Sequence, residues 1–376
     1  MRHKVLDFIN TDLAARELLD ERVAQINRDP NFTNAICCGS GEHVEWLRAR
    51  GHTVHVLDIP RGLSPVPVVS CIVQAARLFR REKYDVVHLH GCLVGVIGRI
   101  AGVLARTPHL VYQAHGYHHH DHMAPLKRWF FITVERVLSP LAEKHLFQSA
   151  SDVDETLRQH IAPAEKLVLV GNGIQLDRFE TDRAPDTDPP VVLYVARMEA
   201  VKNHPMLLKA ALLLRDRGLA FKIRLAGGGE LKEEYERFVA AHGLGDHVEF
   251  LGYRTDVPDL IARASVCVLT SWLEGVPRAI IEAGAAGRPV VATDVVGTRS
   301  VLKDGETGYL VPYDDANALA DRLFRLLTDE PLRLRMGERA RGLALERFDE
   351  RRVVDRIKSV YSQLVEPSGA AALRAW

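Results

Sequence analysis

Four charged side chains in the second half of the chain stand where they could do chemistry on a phosphorylated sugar. Arg197 and Lys202 lie in VVLYVARMEAVKNHP, Val191 to Pro205, just past an apolar run and just before a proline that suits the first turn of a helix. Arginine chelates phosphate oxygens and lysine adds a compact charge, so the pair suits a diphosphate; alone, two such cations in a loop are ordinarily solvated. Glu274 and Glu282 lie in SWLEGVPRAIIEAGAAGRPVVATD, Ser271 to Asp294. Pro277 predicts a helix that runs to about Ala286 and stops at Gly287. The turn Glu274-Gly275-Val276 then sits at a helix N-terminus, which favours an anion. Glu282 falls on a helix that is apolar nearly all round, so burial is expected, and a buried carboxylate needs partners. A sugar diol is one candidate, and an arginine or backbone amides in a purely structural role is the other. A glycine turn, RLAGGGELKEEY from Arg224 to Tyr235, contains Gly228 and lets a ligand or another backbone approach closely. It lacks the GxGxxG spacing and the later acidic residue of a dinucleotide site.

The first half carries weaker signals. His115, His118, His119, His120 and His122 crowd one segment. Imidazoles bind metals, but irregular spacing and the lack of a cysteine partner argue for polar contacts with an acceptor instead. His88 and His90 end an apolar run; one reaches a binding site, or both are satisfied core residues. Lys127, Arg128, Trp129, Phe130 and Phe131 open an amphipathic stretch. It suits either an anionic membrane surface or packing of its Phe residues on the first sheet, and two adjacent basic residues favour packing.

These residues need a frame that ends strands beside them. Candidate strands at Lys4–Ile9, Asn34–Cys38, Thr53–Asp58, Asp85–His90, His109–Ala114, Lys144–Gln148 and Lys166–Val170 alternate with helical patterns such as Leu13–Asn27, Val69–Arg81 and Leu126–Leu141. The rhythm restarts at Val191–Ala196, Lys222–Ala226, Val248–Leu251, Val266–Thr270, Val290–Thr293 and Tyr309–Val311. This is an α/β pattern of two parallel sheets covered by helices on both faces, which bind ligands at the carboxyl ends of their strands. The expected division is a first domain over 1–178, a charged, proline-containing linker over 179–190, a second domain over 191–350, a helix over 351–366 and a loose tail over 367–376.

Composition narrows the classes. A chain of 376 residues predicts two domains. Basic and acidic residues balance at 49 each, so no global field favours nucleic acid. The 5 cysteines are odd in number and without a CxxC pair, which reads as reduced core thiols. The N-terminal apolar run is broken by Asp7 and is too short for a signal peptide, and no stretch reaches the roughly 20 apolar residues of a membrane span. The expected location is cytoplasmic, with a membrane face as a second option.

The arrangement Arg197…Lys202 followed by Glu274 and Glu282, together with VGNGIQLDRF, LAGGGE, VEFLGY and DGETGYLVP, resembles family 4 retaining glycosyltransferases of the GT-B fold. EGVPR with HGYHHHDHMAPLKRWFF resembles the branch that builds capsule and exopolysaccharide. The resemblance implies two doubly wound, Rossmann-like domains facing across a cleft and a last helix returning to the first domain. It implies that Arg197 and Lys202 hold the donor diphosphate, Glu282 the ribose hydroxyls, and Glu274 the transferred sugar, with Gly275, Val276 and Gly228 nearby. Tyr253 and Arg254 would flank the base, and His115 would stand near the sugar and its leaving phosphate. Acceptor contacts fall to the first domain, at Asn10, Thr11, His90, Tyr117 and His118. The partners implied are a nucleotide-sugar donor, with UDP favoured, and a lipid-linked saccharide or small-molecule acceptor; no cofactor and no metal is implied. Two departures stand out: Phe8-Ile9-Asn10-Thr11-Asp12 has no glycine where many members carry a Gly-Gly turn, and Pro277 offers no N–H to a phosphate. The rivals are an epimerase, a dehydrogenase and a non-catalytic sensor of sugar nucleotides, the second opposed by the missing GxGxxG.

Overall fold

A computed structural model of the chain describes residues 2–62, 64–115, 123–181, 185–186 and 188–366. Contacts divide it into two units, one of Met1–Gly171 joined by the chain from Arg351 onward, the other Asn172–Glu350. The first unit therefore takes its last helix from the far end of the sequence, and residues 172–178 group with the second unit. The expected tail, 367–376, lies outside the described residues.

In the first unit, seven strands run β1 (His3–Phe8), β2 (Phe32–Cys38), β3 (Val54–Val56), β4 (Val86–His90), β5 (His109–Ala114), β6 (Lys144–Phe147) and β7 (Leu167–Leu169). They form one parallel sheet in the order β3-β2-β1-β4-β5-β6-β7. The chain steps outward from β1 to β3 and then returns to pair β4 on the other side of β1. That reversal opens a crevice at the carboxyl ends of β1 and β4, the usual ligand position in such sheets. The strands are continuous apolar runs because helices cover both faces. On one face the last helix, Glu350–Val365, packs Val353, Val354, Ile357 and Tyr361 against Val5, Phe32 and Val86.

The second unit has six parallel strands, β8 (Val191–Val195), β9 (Lys222–Ala226), β10 (Val248–Gly252), β11 (Val266–Leu269), β12 (Val290–Thr293) and β13 (Gly308–Val311). Their order is β10-β9-β8-β11-β12-β13, so the reversal lies between β8 and β11. Arg197 and Lys202 follow β8, and Glu274 follows β11. The two strongest sequence signals thus flank the one crevice that this topology creates.

Three expectations differ in detail. The pattern at Leu13–Asn27 is two helices, Asp12–Leu18 and Asp20–Arg28, because the chain turns at Leu19. The segment expected as a linker is partly tied down: Asp186 accepts from Arg263 Nε at 3.1 Å and from Arg224 Nη1 at 3.4 Å. In the helix Pro125–Leu138, Trp129 and Phe130 are exposed, while Ile132 and Glu135 are buried. The inward face is chosen by Glu135, whose carboxylate receives Arg99 Nη2 at 2.9 Å and the Tyr112 hydroxyl at 3.2 Å. All five cysteines are free thiols, four of them buried. No helix among the described residues is long and apolar enough to cross a membrane.

Candidate functional site

The loop after β8 is locked in place by the strand beside it. Tyr194, on β8, donates its hydroxyl to the Lys202 carbonyl at 2.5 Å, and Thr270, just past β11, donates to the same carbonyl at 2.9 Å. The Trp272 amide donates to the Val201 carbonyl at 3.1 Å. Lys202 is thereby aimed at the turn after β11, and its Nζ donates to Glu274 Oε1 at 2.6 Å. Both side chains are mostly buried, at 21% and 12% exposure. The turn holding Glu274 is itself backed by the short helix Val296–Arg299, since a Cβ at Gly297 would fall on the Glu274 and Gly275 carbonyl oxygens. Asn172 Nδ2 donates to the Val276 carbonyl at 3.2 Å and holds the far side of the turn. Behind Lys202, His204 is stacked between Tyr194 and Tyr235, and burial pulls its pKa down to about 4, so this ring adds no positive charge near neutrality.

The helix expected at Pro277 spans Arg278–Ala285. Glu282 on it is mostly buried, at 17% side-chain exposure, and Arg278, one turn earlier, reaches to 3.7 Å of its Oε1. The i, i+4 spacing puts these two on one stripe of an otherwise apolar helix. Arg197 is 73% exposed and pairs with Glu199 at 2.7 Å. Tyr253 is exposed, and Arg254 beside it is held by Asp256 at 2.5 and 2.7 Å.

The glycine turn after β9 has a structural cause. Side chains at Gly227 and Gly229 would strike the Ala196 and Met198 backbone, so the loop carrying Arg197 rests directly on these two residues. Both have positive φ, +148° and +154°, whereas Gly228 between them faces open space. Gly229→Ala is therefore expected to lose about 1–3 kcal/mol of stability in denaturant unfolding. Gly228→Ala is expected to stay within about 0.5 kcal/mol of the parent.

In the first unit the crevice between β1 and β4 is lined by a buried polar cluster. Parallel register sets Asp7 beside His88, and His90 beside Gln113. Asp7 Oδ1 lies 2.6 Å from His90 Nε2 and 3.4 Å from His88 Nδ1, and Asp7 Oδ2 accepts from Asn34 Nδ2 at 2.5 Å. His90 Nδ1 lies 3.0 Å from His115 Nε2, and His88 Nδ1 lies 2.7 Å from the hydroxyl of Tyr361 on the last helix. Arg22 Nη1 donates to Gln113 Oε1 at 3.3 Å. Burial pushes the pKa of His88 and of His90 well below the ordinary imidazole range, so both are neutral. Asp7, His88 and His90 also have the spacing of a metal triad, with ligand atoms within 4.8 Å of one another.

The structure joins Lys202 to Glu274 and His90 to His115, and leaves Arg197, Tyr253 and Arg254 at the surface. His90 is enclosed, with both ring nitrogens engaged inside the unit by His115 and Asp7. Thr11 uses its hydroxyl to cap the helix Asp12–Leu18, accepting from the Ala14 amide at 3.1 Å, and the Asn10 carbonyl accepts from Gly39 at 3.3 Å. Tyr117 and His118, with the rest of the histidine run, lie outside the described residues. Sequence reasoning passed over Asp7, Asn34, Gln113 and Arg278. A charged residue inside the apolar run KVLDFI was the available signal for Asp7, and the i, i+4 spacing was the signal for Arg278.

Comparisons with known proteins agree with this frame. Residues 175–343 match the family described as glycosyl transferases group 1, and residues 32–173 match the glycosyl transferase 4-like domain. The chain is 25% identical over 345 residues to UDP-Gal:alpha-D-GlcNAc-diphosphoundecaprenol alpha-1,3-galactosyltransferase of Escherichia coli, covering 88% of this chain and 89% of that one. It is 31% identical over 254 residues to alpha-D-kanosaminyltransferase of Streptomyces kanamyceticus, covering 61% and 66% respectively. The crystal structure of HepE from Anabaena, in complex with UDP and glucose, has the same fold, with a TM-score of 0.82 at 20% identity over 96% of this chain and 100% of that one. With one of these families spanning most of the second unit and the other most of the first, the chain belongs to the family 4 glycosyltransferases of the GT-B fold.

Proposed function

We propose that the second unit takes a UDP-sugar and that the enzyme transfers its hexosyl or N-acetylhexosaminyl group, with retention of configuration, to a hydroxyl of a lipid-linked saccharide. The observation that carries this reading is the Lys202–Glu274 pair at the strand reversal of the second sheet. A cation and a carboxylate held 2.6 Å apart at a helix N-terminus match the two ends of a sugar diphosphate. In this reading the incoming diphosphate takes over Lys202 and recruits the exposed Arg197, while Glu274 turns its released lone pairs to sugar hydroxyls. The Gly275 and Val276 amides face the same phosphate, and Glu282 accepts from the ribose. As the bond from the anomeric carbon to the phosphate oxygen breaks, negative charge grows on the diphosphate, and Lys202 and Arg197 stabilise it. The acceptor oxygen forms the new bond on the face the phosphate leaves, and a phosphate oxygen takes the acceptor proton. On the first unit, His115 is the proposed contact to the sugar.

UDP and a lipid-linked acceptor are supported by the names of relatives: the Escherichia coli galactosyltransferase acts on a diphosphoundecaprenol, and HepE was crystallised with UDP. The exposed Leu126, Trp129 and Phe130 beside Lys127 add an apolar and basic face suited to a membrane surface, where such an acceptor resides. The test is to incubate the protein with UDP-sugars and a short-chain lipid-diphosphate saccharide and to read the anomeric proton of the product by NMR. A product anomer matching the donor is expected. An inverted product would overturn the mechanism, and transfer only from GDP- or dTDP-sugars would overturn the choice of base.

A further inference from the structure

We propose that the outward face of the helices Pro65–Glu82 and Pro125–Leu138 docks on an anionic lipid surface. The proposal deepens the reading of a lipid-linked acceptor and rests on it only for the benefit to transfer. The attachment itself rests on exposure and charge.

The sheet of the first unit hides one side of each helix. Pro65–Glu82 buries Cys71, Ile72, Ala75, Leu78 and Phe79 against it, and Cys92–Ala105 buries Val94 and Ile97. Pro125–Leu138 joins the same layer through Glu135, which receives Arg99 Nη2 at 2.9 Å. A surface helix ordinarily turns polar and charged residues to water on its other side. Pro65–Glu82 does so only in its second half. Its outward stripe reads Val66, Val69, Val73, Arg77 and Arg80, spaced by three and four residues, and Val66 is 80% exposed. Pro125–Leu138 turns out Leu126, Trp129, Phe130 and Val137, with exposed Lys127 beside them. Among the described residues, nine of the 20 exposed large apolar side chains sit on these three helices of 18, 14 and 14 residues. Single exposed apolar residues are ordinary, but such a cluster marks a partner surface.

Charge selects the partner. The three helices carry seven Lys or Arg against two Asp or Glu, although the chain as a whole balances at 49 each. Of the two acids, Glu135 is buried with Arg99, and Glu82 accepts from Arg81 Nε at 2.8 Å. A second copy would set this face against itself and bring basic residues opposite basic ones. An anionic bilayer satisfies both properties: the apolar side chains and the Trp129 ring enter the interface, while Arg77 and Lys127 meet headgroup phosphates. No helix among the described residues is long and apolar enough to cross, so this contact is with the surface of the bilayer. Each helix starts at the edge of the sheet where the strand before it ends. Val66, Leu126, Trp129 and Phe130 therefore lie toward the carboxyl ends of the strands, the edge that holds the crevice of β1 and β4. Docking by this face sets that crevice beside the headgroups, where the saccharide of a lipid-linked acceptor stands.

The test is flotation of the full chain with vesicles of phosphatidylcholine, alone or mixed with phosphatidylglycerol. The parent is expected to float with the anionic vesicles, to stay behind with the neutral ones, and to be released by raised salt. Arg77→Glu with Lys127→Glu, and separately Trp129→Ser with Phe130→Ser, are each expected to weaken capture about 10-fold or more. All four positions are exposed, and unchanged unfolding midpoints and UDP affinity would confirm that both variants are folded. Failure of the parent to bind anionic vesicles, equal capture by the two kinds of vesicle, or unchanged capture of either double variant would overturn the proposal. So would a stable dimer in sedimentation equilibrium that Trp129→Ser with Phe130→Ser splits, since this face would then join two copies. The vesicles hold no acceptor, so the result does not depend on the sugar chemistry. Should docking fail, transfer to a short-chain acceptor in solution still decides the reading of the acceptor.

Discussion

Lys202→Ala is expected to slow sugar transfer about 10²–10³-fold, the usual effect of deleting one preorganised group that meets charge developing in the transition state. The size follows from where the ammonium is held. Two hydroxyls, Tyr194 and Thr270, fix the Lys202 carbonyl, and the side chain is only 21% exposed, so little reorganisation is needed when the diphosphate leaves. Alanine also strands Glu274, whose carboxylate would sit 12% exposed without its cation. The loss should therefore fall mainly on kcat, read with saturating donor, and unfolding midpoints should confirm that the variant is folded. Lys202→Arg is expected to recover only part of the rate, because a planar fork does not reproduce a point charge at 2.6 Å from Glu274. A Lys202→Ala enzyme with full kcat would remove Lys202 from the chemistry.

The largest stability effect is expected away from the site. Glu135→Ala should cost about 3–5 kcal/mol, because it leaves the Arg99 guanidinium buried without its counter-charge. Arg99 is fully buried, lies 4.4 Å over the Tyr112 ring and donates to Glu135 at 2.9 Å, while Tyr112 gives its hydroxyl to the same carboxylate. Two polar groups, one from a helix and one from a strand, thus depend on one side chain of a second helix. Chemical denaturation of Glu135→Ala measures the loss. The double variant Arg99→Met with Glu135→Leu is expected to recover much of it, since well-packed apolar residues often replace a buried ion pair at little cost. Equal losses in the single and double variants would mean that packing, and not stranded charge, sets the energy.

The strands were legible because parallel strands buried on both faces must be apolar throughout. His109–Ala114, Lys222–Ala226 and Val290–Thr293 fall where the pattern puts them. Arg197 and Lys202 were legible for a related reason, since they follow a strand end near glycine and proline signals. Their geometry was not. Nothing local says that Lys202 meets Glu274, 72 residues later, because the meeting depends on β8 and β11 being neighbours. The Asp7 cluster was hidden in the same way: its partners come from β2, β4 and the far C-terminal helix, and only sheet order brings them together. At Glu282 the apolar neighbours implied burial, and the side chain is mostly buried at 17% exposure, with Arg278 set beside it by 3.6-residue periodicity.

Calorimetric titration of UDP, GDP, dTDP and ADP into the parent protein and a folded Glu282→Ala variant tests the donor site most directly. A carboxylate that accepts from the ribose contributes about 1.5–3 kcal/mol, or roughly 10- to 150-fold in affinity. The account predicts that UDP binds the parent and weakens by that factor in the variant. Failure of every nucleotide to bind the folded parent, or UDP affinity unchanged in Glu282→Ala, would contradict it.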